Sequence, residues 1–296
     1  MDAINTELSM KEIEKELRKE QAAVKRKKFF KNKMAIIGLA ITIIAILIGI
    51  FAPLIATCDP LAMNPAGRLK PPSVENLFGT DKLGRDLFSR VVYAVRYAML
   101  IGISVTVIAT VFGMLIGLYA SYYKILDSIL MRICDGLKAI PTVLLALALM
   151  GALGADIKNV FISLVIVYTP GVARIARSQA LLVKEQTYIE AMKSLGAKPG
   201  RIIWKHIAPN ILSPVIVQAS FIFAATIVTE AALSFLGAGV PVPEPSLGNI
   251  LYEGKEVIFN APWMIYVPGI VMAIIVWGIN MLGDGLRDYL DPLTTN

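Results

Sequence analysis

Six uncharged apolar runs constrain the fold of this chain more than any other feature. They cover residues 34–58, 97–123, 139–155, 159–173, 210–229 and 259–283. A helix of roughly 20 residues crosses the hydrocarbon core of a bilayer. The sequence is 56% hydrophobic with a mean hydropathy of +0.66, which is too apolar for a soluble domain. We therefore predict an all-α polytopic membrane protein with six transmembrane helices.

The third and fourth runs are shorter than the others and are joined only through Asp156 and Lys158. Two arrangements would satisfy the thickness of the bilayer. Either the two runs form a tight helical hairpin, or they lengthen by including flanking residues such as Leu137 and Ile175. Both arrangements remain open from the sequence.

Basic residues around the start of the first run predict the orientation of the chain. They are Lys25, Arg26, Lys27, Lys28, Lys31 and Lys33. Because Lys and Arg near span ends favour the cytoplasmic side, we expect the N-terminus there, and six spans return the C-terminus to the same side. The loop at 59–96 then lies outside. Cys58 and Cys134 lie on opposite faces, which excludes a disulfide between them.

The polar tail at 1–33 precedes a first span that is too long for a cleaved signal peptide, so the span is predicted to remain as an anchor. Within the tail, apolar residues recur at helical spacing after a possible Ser9–Glu12 capping box. They are Met10, Ile13, Leu17 and Val24. One interpretation is a solvated, partly frayed helix. The other is an amphipathic helix on the inner leaflet or against a partner subunit.

A polar, basic segment at 183–209, here called the elbow segment, separates the fourth and fifth runs. We predict two short helices hinged at Gly196, which suits the left-handed position after a helix. Thr187 is the expected N-cap of the first helix, with Glu190 closing a capping box. Pro199 suits the first turn of the second helix, and Pro209 is expected to end it.

Residues that would make this chain an enzyme are missing from its sequence. It has no Gly-x-x-x-x-Gly-Lys-Ser/Thr phosphate loop, and His206 is its single histidine. No catalytic residue, metal site or cofactor bound by this chain is therefore expected. The net charge of +7 is concentrated beside the apolar runs, which argues against nucleic acid as a partner.

Glu230 is the one ionisable residue between residues 210 and 243. A charge inside a span costs at least about 2.5 kcal/mol on insertion scales, so Glu230 should face a partner or a watery cavity. It either holds helices together by hydrogen bonding, with Asn280 as a candidate partner, or lines a substrate path. The two roles are equally compatible with the sequence.

The elbow segment resembles the coupling loop of binding-protein-dependent ABC importer permeases. That loop has the pattern Glu-Ala-Ala, three residues, Gly, and a proline thirteen residues further on. The matching positions are Glu190, Ala191, Met192, Gly196 and Pro209, with Met192 in place of the second alanine. The resemblance implies that this segment couples the chain to a separate ATPase.

Three more stretches resemble one branch of these permeases, the C-type subunit of dipeptide and oligopeptide importers, which includes nickel permeases. The first contains Gly79, Thr80, Asp81, Gly84, Arg85 and Asp86, followed by Ser89 and Arg90; the second covers 232–240; the third contains Gly283, Asp284, Gly285, Arg287 and Asp288, followed by Asp291 and Pro292. With the elbow segment they extend from about residue 34 to the end of the chain.

The resemblance implies a type I ABC importer permease fold for residues 34–296. It also implies a permease subunit that forms half of a translocation path for di- or oligopeptides in a bacterial or archaeal cell membrane. The implied partners are a second permease subunit, two cytoplasmic ATPases that hold ATP and Mg, and an external substrate-binding protein. A nickel chelate is the alternative substrate.

Other functions make different demands on the sequence. A carrier driven by an ion gradient should have several ionisable groups within its spans, and Glu230 is alone. A membrane scaffold would need no ATPase partner. The outer stretch at 78–90 is expected to form a turn with internal ion pairs, with docking of the binding protein and direct substrate contact as alternatives.

Overall fold

The computed structural model describes residues 32–290, and within this range the regular secondary structure is helical apart from one isolated β-bridge between Thr80 and Asp86. In chain order the elements are α1 (Lys33–Ile50), α2 (Ala52–Ile55), a 3₁₀ turn (Pro65–Gly67), α3 (Leu87–Tyr122), α4 (Lys124–Lys138), α5 (Thr142–Leu153), α6 (Ile157–Lys184), α7 (Thr187–Ser194), α8 (Pro199–Arg201), a π-helix (Ile202–Ile207), α9 (Ala208–Phe235), α10 (Leu247–Lys255) and α11 (Trp263–Leu290).

The predicted spans correspond to helices of very different lengths. Five helical segments in the described range are long and apolar enough to cross a membrane: α1, α3, α6, the continuous helix Pro199–Phe235, and α11. The pair α4 and α5 is a sixth candidate, bent by 96°. Since α5 has 12 residues, it is roughly 18 Å long at 1.5 Å per residue, which is shorter than a bilayer core.

The third and fourth apolar runs differ in whether their helices extend into the flanking residues. The third run does not lengthen through Leu137, because the chain bends sharply between α4 and α5 at Pro141, whose ring cannot continue a helix. The fourth run does extend through Ile175, since α6 continues to Lys184. Between α5 and α6 the chain turns tightly at Gly154, which has φ +90, and Asp156 caps α6 by accepting the Lys158 N–H at 2.7 Å.

Close helix packing depends on glycines that leave no room for a β-carbon. A β-carbon on Gly38 of α1 would lie 2.5 Å from the main-chain nitrogen of Leu282 on α11. One on Gly113 of α3 would lie 2.4 Å from Cβ of Val172 on α6. Helices can therefore approach closely at these crossings and gain dispersion contacts that replace hydrophobic driving force in lipid.

Several sequence predictions fall outside the described residues. The proposed tail helix with Met10, Ile13, Leu17 and Val24 lies there, as do Asp291 and Pro292. Cys58 is exposed and Cys134 is buried, and both are free thiols.

Candidate functional site

The first helix of the elbow segment begins differently from the prediction. Gln186 is the N-cap of α7 and makes no side-chain cap hydrogen bond, so Thr187 is the first helical residue and the Thr187–Glu190 capping box is wrong. The Gln186 carbonyl accepts the Ile189 N–H at 2.9 Å. The main chain therefore turns one residue earlier than the side-chain pattern indicates.

Gly196 has the predicted left-handed conformation, with φ +77. Its N–H donates to the Lys193 carbonyl and the Ala197 N–H donates to the Met192 carbonyl, both at 3.0 Å. This pair of bonds is the Schellman arrangement that ends a helix. No heavy atom of the described chain lies within 4 Å of a β-carbon built on Gly196. Glycine is needed there for its backbone angle and not for space.

The second half of the elbow segment is the start of a span. Pro199 occupies the first turn of α8, as predicted. Pro209 does not end a helix: α8, the π-helix and α9 form one helix of 37 residues from Pro199 to Phe235. Pro209 is in the first turn of α9, directly after the wider π-turn in which the Ala208 N–H donates to the Ile203 carbonyl. A missing N–H costs little at such a position.

One face of the elbow segment is firmly attached to the spans. Ile189 of α7 and Ile202, Ile203 and Ile207 of the π-helix are buried in the larger apolar core. In addition, the Asn210 amide donates to the His206 carbonyl at 2.6 Å and to the Tyr188 hydroxyl at 3.3 Å.

The other face of the elbow segment is accessible. Glu190, Ala191 and Gly196 are exposed, Met192 is half-buried, and Leu195 is 86% exposed. The elbow segment is thus packed against the spans on one face and exposed on the other.

The predicted outer turn contains a buried network of four charges. Arg85 Nε lies 2.6 Å from Asp81 Oδ2, as the expected internal ion pair requires, and Arg85 Nη2 lies 2.7 Å from Glu253 Oε2. Arg90 Nη1 lies 2.5 Å from Asp81 Oδ2 and 2.6 Å from Glu253 Oε2. All four side chains are buried. The network ties the loop and the start of α3 to α10.

The sequence-based prediction did not include Glu253, although the charges of the outer stretch indicated that a further carboxylate was needed. The outer stretch has two arginines, Arg85 and Arg90, beside the paired Asp81, and buried charges must be balanced. Once both arginines are buried, a further carboxylate is required. Nothing in the sequence indicates which distant residue supplies it.

Asp86 does not form the ion pair that the outer turn suggested. Its carboxylate caps α3 by accepting the Ser89 N–H at 2.8 Å, and it also accepts the Thr57 hydroxyl at 3.2 Å. Thr80 donates its hydroxyl to the Gly67 carbonyl at 2.6 Å, and its own carbonyl accepts the Trp263 indole N–H at 3.1 Å. These residues stabilise the turn from within.

Gly79 and Gly84 are constrained by both conformation and space. Their φ angles are +79 and +76, and a β-carbon on Gly84 would lie 1.9 Å from the Asn64 carbonyl oxygen. At the exposed rim, Lys82 donates to Glu256 at 2.7 Å, and this hydrogen bond holds the pKa of Glu256 below its usual value.

Glu230 is 1% exposed and lies near the C-terminal end of α9. The Ser234 hydroxyl donates to Glu230 Oε1 at 2.7 Å, and the Ser246 side chain lies beside the carboxyl group. Ser246 is the N-cap of α10. The carboxyl group therefore lies between the end of α9 and the start of α10, whereas Asn280 lines a separate cavity.

The C-terminal motif packs helices together. A β-carbon on Gly283 would lie 2.5 Å from Ser220 Oγ of α9, and one on Gly285 would lie 2.3 Å from Ala35 Cβ of α1. Asp288 accepts a hydrogen bond from the Asn32 amide at 3.1 Å. Asp284 is exposed, and Arg287 lines a cavity of about 510 Å³ between α6, α9 and α11.

A second cavity, of about 400 Å³, opens among α5, α6, α9 and α11. Its polar lining consists of Thr142, Tyr168, Thr229 and Asn280. Among residues 32–290, no group of three or more His, Cys, Asp or Glu side chains is placed to hold a metal ion.

These features define a multi-pass helical membrane protein of the permease class, with an exposed helical elbow between two spans. The model of the family described as "Binding-protein-dependent transport system inner membrane component" matches residues 109–296. A second model, the N-terminal TM domain of oligopeptide transport permease C, matches residues 22–72. The chain belongs to the binding-protein-dependent permease family, in the branch of the dipeptide and oligopeptide C-type subunits.

Relatives cover most of the chain. The dipeptide transport system permease protein DppC of Alkalihalophilus pseudofirmus is 44% identical over 90% of this chain and 88% of its own length. The oligopeptide transport system permease protein OppC of Bacillus subtilis is 38% identical over 90% of this chain and 87% of its own length. The predicted family membership is confirmed.

Among solved structures, an inward-facing form of the MetNI methionine ABC transporter contains a chain of the same fold. The TM-score is 0.58 and the identity is 20%, and the match covers 69% of this chain and 98% of that chain. The predicted ABC importer permease fold is therefore confirmed at the level of the fold.

Proposed function

We propose that this chain is one permease subunit of an ATP-driven importer for di- or oligopeptides. The observation that carries the proposal is the elbow segment, which is buried on one side through Ile189 and Ile203 and exposed on the other at Glu190 and Ala191. A surface of this kind can receive force from outside the membrane and pass it directly into α6 and α9. The names of the related DppC and OppC proteins support peptides as the substrate class.

Coupling depends on the shape of the elbow segment. Ala191 has a short side chain and lets a partner surface approach α7 closely, while the Schellman end at Gly196 sets the angle between α7 and α8. Met192 and Pro209 contribute through packing and through the start of α9. ATP and Mg bind to separate ATPase subunits, whose closure moves α7 together with the ends of both spans and switches access from outside to inside.

The same proposal assigns the remaining partners and the orientation. The chain pairs with a second, distinct permease subunit, and the translocation path runs between the two. Residues 34–296 form the permease domain in a bacterial or archaeal inner membrane, with both termini and the elbow segment in the cytoplasm. The outer turn at 78–90 lies outside, where an external binding protein docks and delivers the peptide.

Purification of the tagged chain from native membranes tests this function. We expect two ATPase subunits and a second permease to co-purify, and the reconstituted complex to take up peptide when ATP and the binding protein are present. Labelling of the elbow segment from the external side, or a purified complex without ATPase subunits, would contradict the proposal.

A further inference from the structure

The cavity among α5, α6, α9 and α11 brings polar groups from four helices to one place between apolar spans. Thr142 comes from the first turn of α5, Tyr168 from α6, Thr229 from α9 and Asn280 from α11. Its volume of about 400 Å³ is sufficient for a segment of extended peptide. Polar side chains within membrane spans are costly and usually mark a pathway or a contact between helices.

The polar groups in this cavity retain hydrogen-bonding capacity. The Tyr168 and Thr229 hydroxyls pair at 2.7 Å, which uses one of their two O–H donors. Asn280 is half-buried, and no hydrogen bond from its amide reaches another residue of the described range. An amide offers two donors and one acceptor, and the Asn280 amide lies on the lining of the cavity. The cavity therefore presents unused donors and acceptors.

None of the described residues that line the cavity carries a charge. Glu230 follows Thr229 directly, but its carboxylate is bonded to Ser234 and is 1% exposed, so it does not contribute. The rest of the lining is apolar and includes Phe221 and Val228. A neutral site with amide and hydroxyl groups matches the main chain of a peptide, which offers N–H and C=O groups whatever its side chains are.

We propose that this cavity is a transit site that hydrogen-bonds the peptide main chain during passage through the membrane. The inference rests on the proposed function and adds where, and through which chemical groups, the permease contacts its substrate. Neutral hydrogen bonds suit transit because the substrate must enter and also leave. Such a site selects for an amide backbone and is indifferent to side-chain charge.

Photo-cross-linking tests the contact directly. The complete reconstituted importer carries benzoylphenylalanine at Val228, which lines the cavity, or at Ile274, which is exposed on the opposite side of α11 from Val276. We expect a radiolabelled tripeptide to cross-link to the Val228 variant only with ATP and the binding protein, and not to the Ile274 variant. Equal labelling of both variants, or no labelling at Val228 during active uptake, overturns the transit site.

Substitution of Asn280 tests whether its amide forms a hydrogen bond with the peptide main chain. Asn280→Leu keeps the approximate volume and removes the amide, whereas Asn280→Gln keeps an amide. We expect Asn280→Leu to slow uptake of acidic, basic and neutral tripeptides equally, by about fivefold for one lost hydrogen bond, with partial retention in Asn280→Gln. The yield of assembled complex is measured for both variants, so that a loss of uptake can be told apart from a loss of folding.

The results separate the two proposals. A wild-type complex that transports no peptide contradicts the proposed function and the transit site together. A wild-type complex that transports peptides, combined with an Asn280→Leu variant of normal uptake or with a loss that depends on peptide charge, contradicts the transit site alone.

Discussion

Arg90 at the start of α3 and Glu253 in α10 are 163 residues apart in the sequence and form a buried ion pair, with Arg90 Nη1 2.6 Å from Glu253 Oε2. Asp81 and Arg85 complete the network. Two positive and two negative side chains balance one another where the outer loop meets α10. The pairing stabilises the loop before α3, which is mostly irregular.

Removal of Glu253 should destabilise the protein strongly. Glu253→Ala leaves Arg85 and Arg90 with Asp81 alone, and breaking a buried pair from one side costs about 3–5 kcal/mol. Thermal unfolding of the detergent-purified chain measures the effect. Glu256→Ala is the matched control, since it removes only the exposed pair with Lys82. Similar melting temperatures for both variants would contradict the buried network.

Substitution of Gly196 should uncouple transport from ATP hydrolysis. Gly196→Val forces a β-branched residue to φ +77, which costs roughly 1–2 kcal/mol and changes the angle after α7. Gly200→Val is the control, because Gly200 has no positive φ and an equally open environment within the described chain. Uptake and ATPase activity are compared in proteoliposomes. Normal uptake by Gly196→Val would falsify the coupling role.

Substitution of Gly38 should disrupt the crossing of α1 and α11. Gly38→Ala places a methyl group 2.5 Å from the main-chain nitrogen of Leu282 and 2.6 Å from the Gly278 carbonyl, and main-chain atoms cannot rotate away. We expect a loss of about 1–3 kcal/mol. Gly269→Ala on α11 meets no described atom within 4 Å and should be neutral or stabilising. Thermal unfolding of the Gly38→Ala and Gly269→Ala variants measures this difference in stability.

Glu230 should tolerate an amide better than an apolar side chain. Glu230→Gln keeps an oxygen that can accept from Ser234, while Glu230→Leu leaves the buried Ser234 O–H donor without an acceptor, at about 1–3 kcal/mol. The melting temperature and the yield of assembled complex report the difference, with Glu75→Leu in the exposed outer loop as a control. A Glu230→Leu complex that is stable but inactive would instead favour a role on the substrate path.

Loss of Lys82 should change the titration of its neighbour. The hydrogen bond from Lys82 holds the pKa of Glu256 below its ordinary value of 4.5, so Lys82→Met should raise that pKa. A lowered folded-state pKa contributes stability above the unfolded value, and this stability is lost as the pH falls through the folded one. Melting temperatures from pH 7 down to about pH 3 should therefore fall less steeply in Lys82→Met. Identical profiles would contradict the pairing.

Local backbone patterns were predictable where one residue decides the outcome. Gly196 ends α7 as expected because few other residues adopt its φ, and Pro199 begins α8 because its ring fits a first turn. Thr187 and Pro209 were misjudged for a shared reason. Thr187 is the first helical residue because Gln186 is the N-cap, and Pro209 lies within a helix that continues from Pro199 to Phe235; in each case the neighbouring main chain decides the position.

The sequence by itself determined the class of protein, the helical spans and the elbow between two of them, because apolar length and backbone preference are local properties that each segment carries alone. Only the tertiary structure decided that Glu253 balances Arg90, that Glu230 lies beside Ser246 at the start of α10, and that Asn280 shares a cavity with Tyr168. These contacts join residues far apart along the chain. Which residues become partners depends on how the helices cross, and no single segment encodes that crossing.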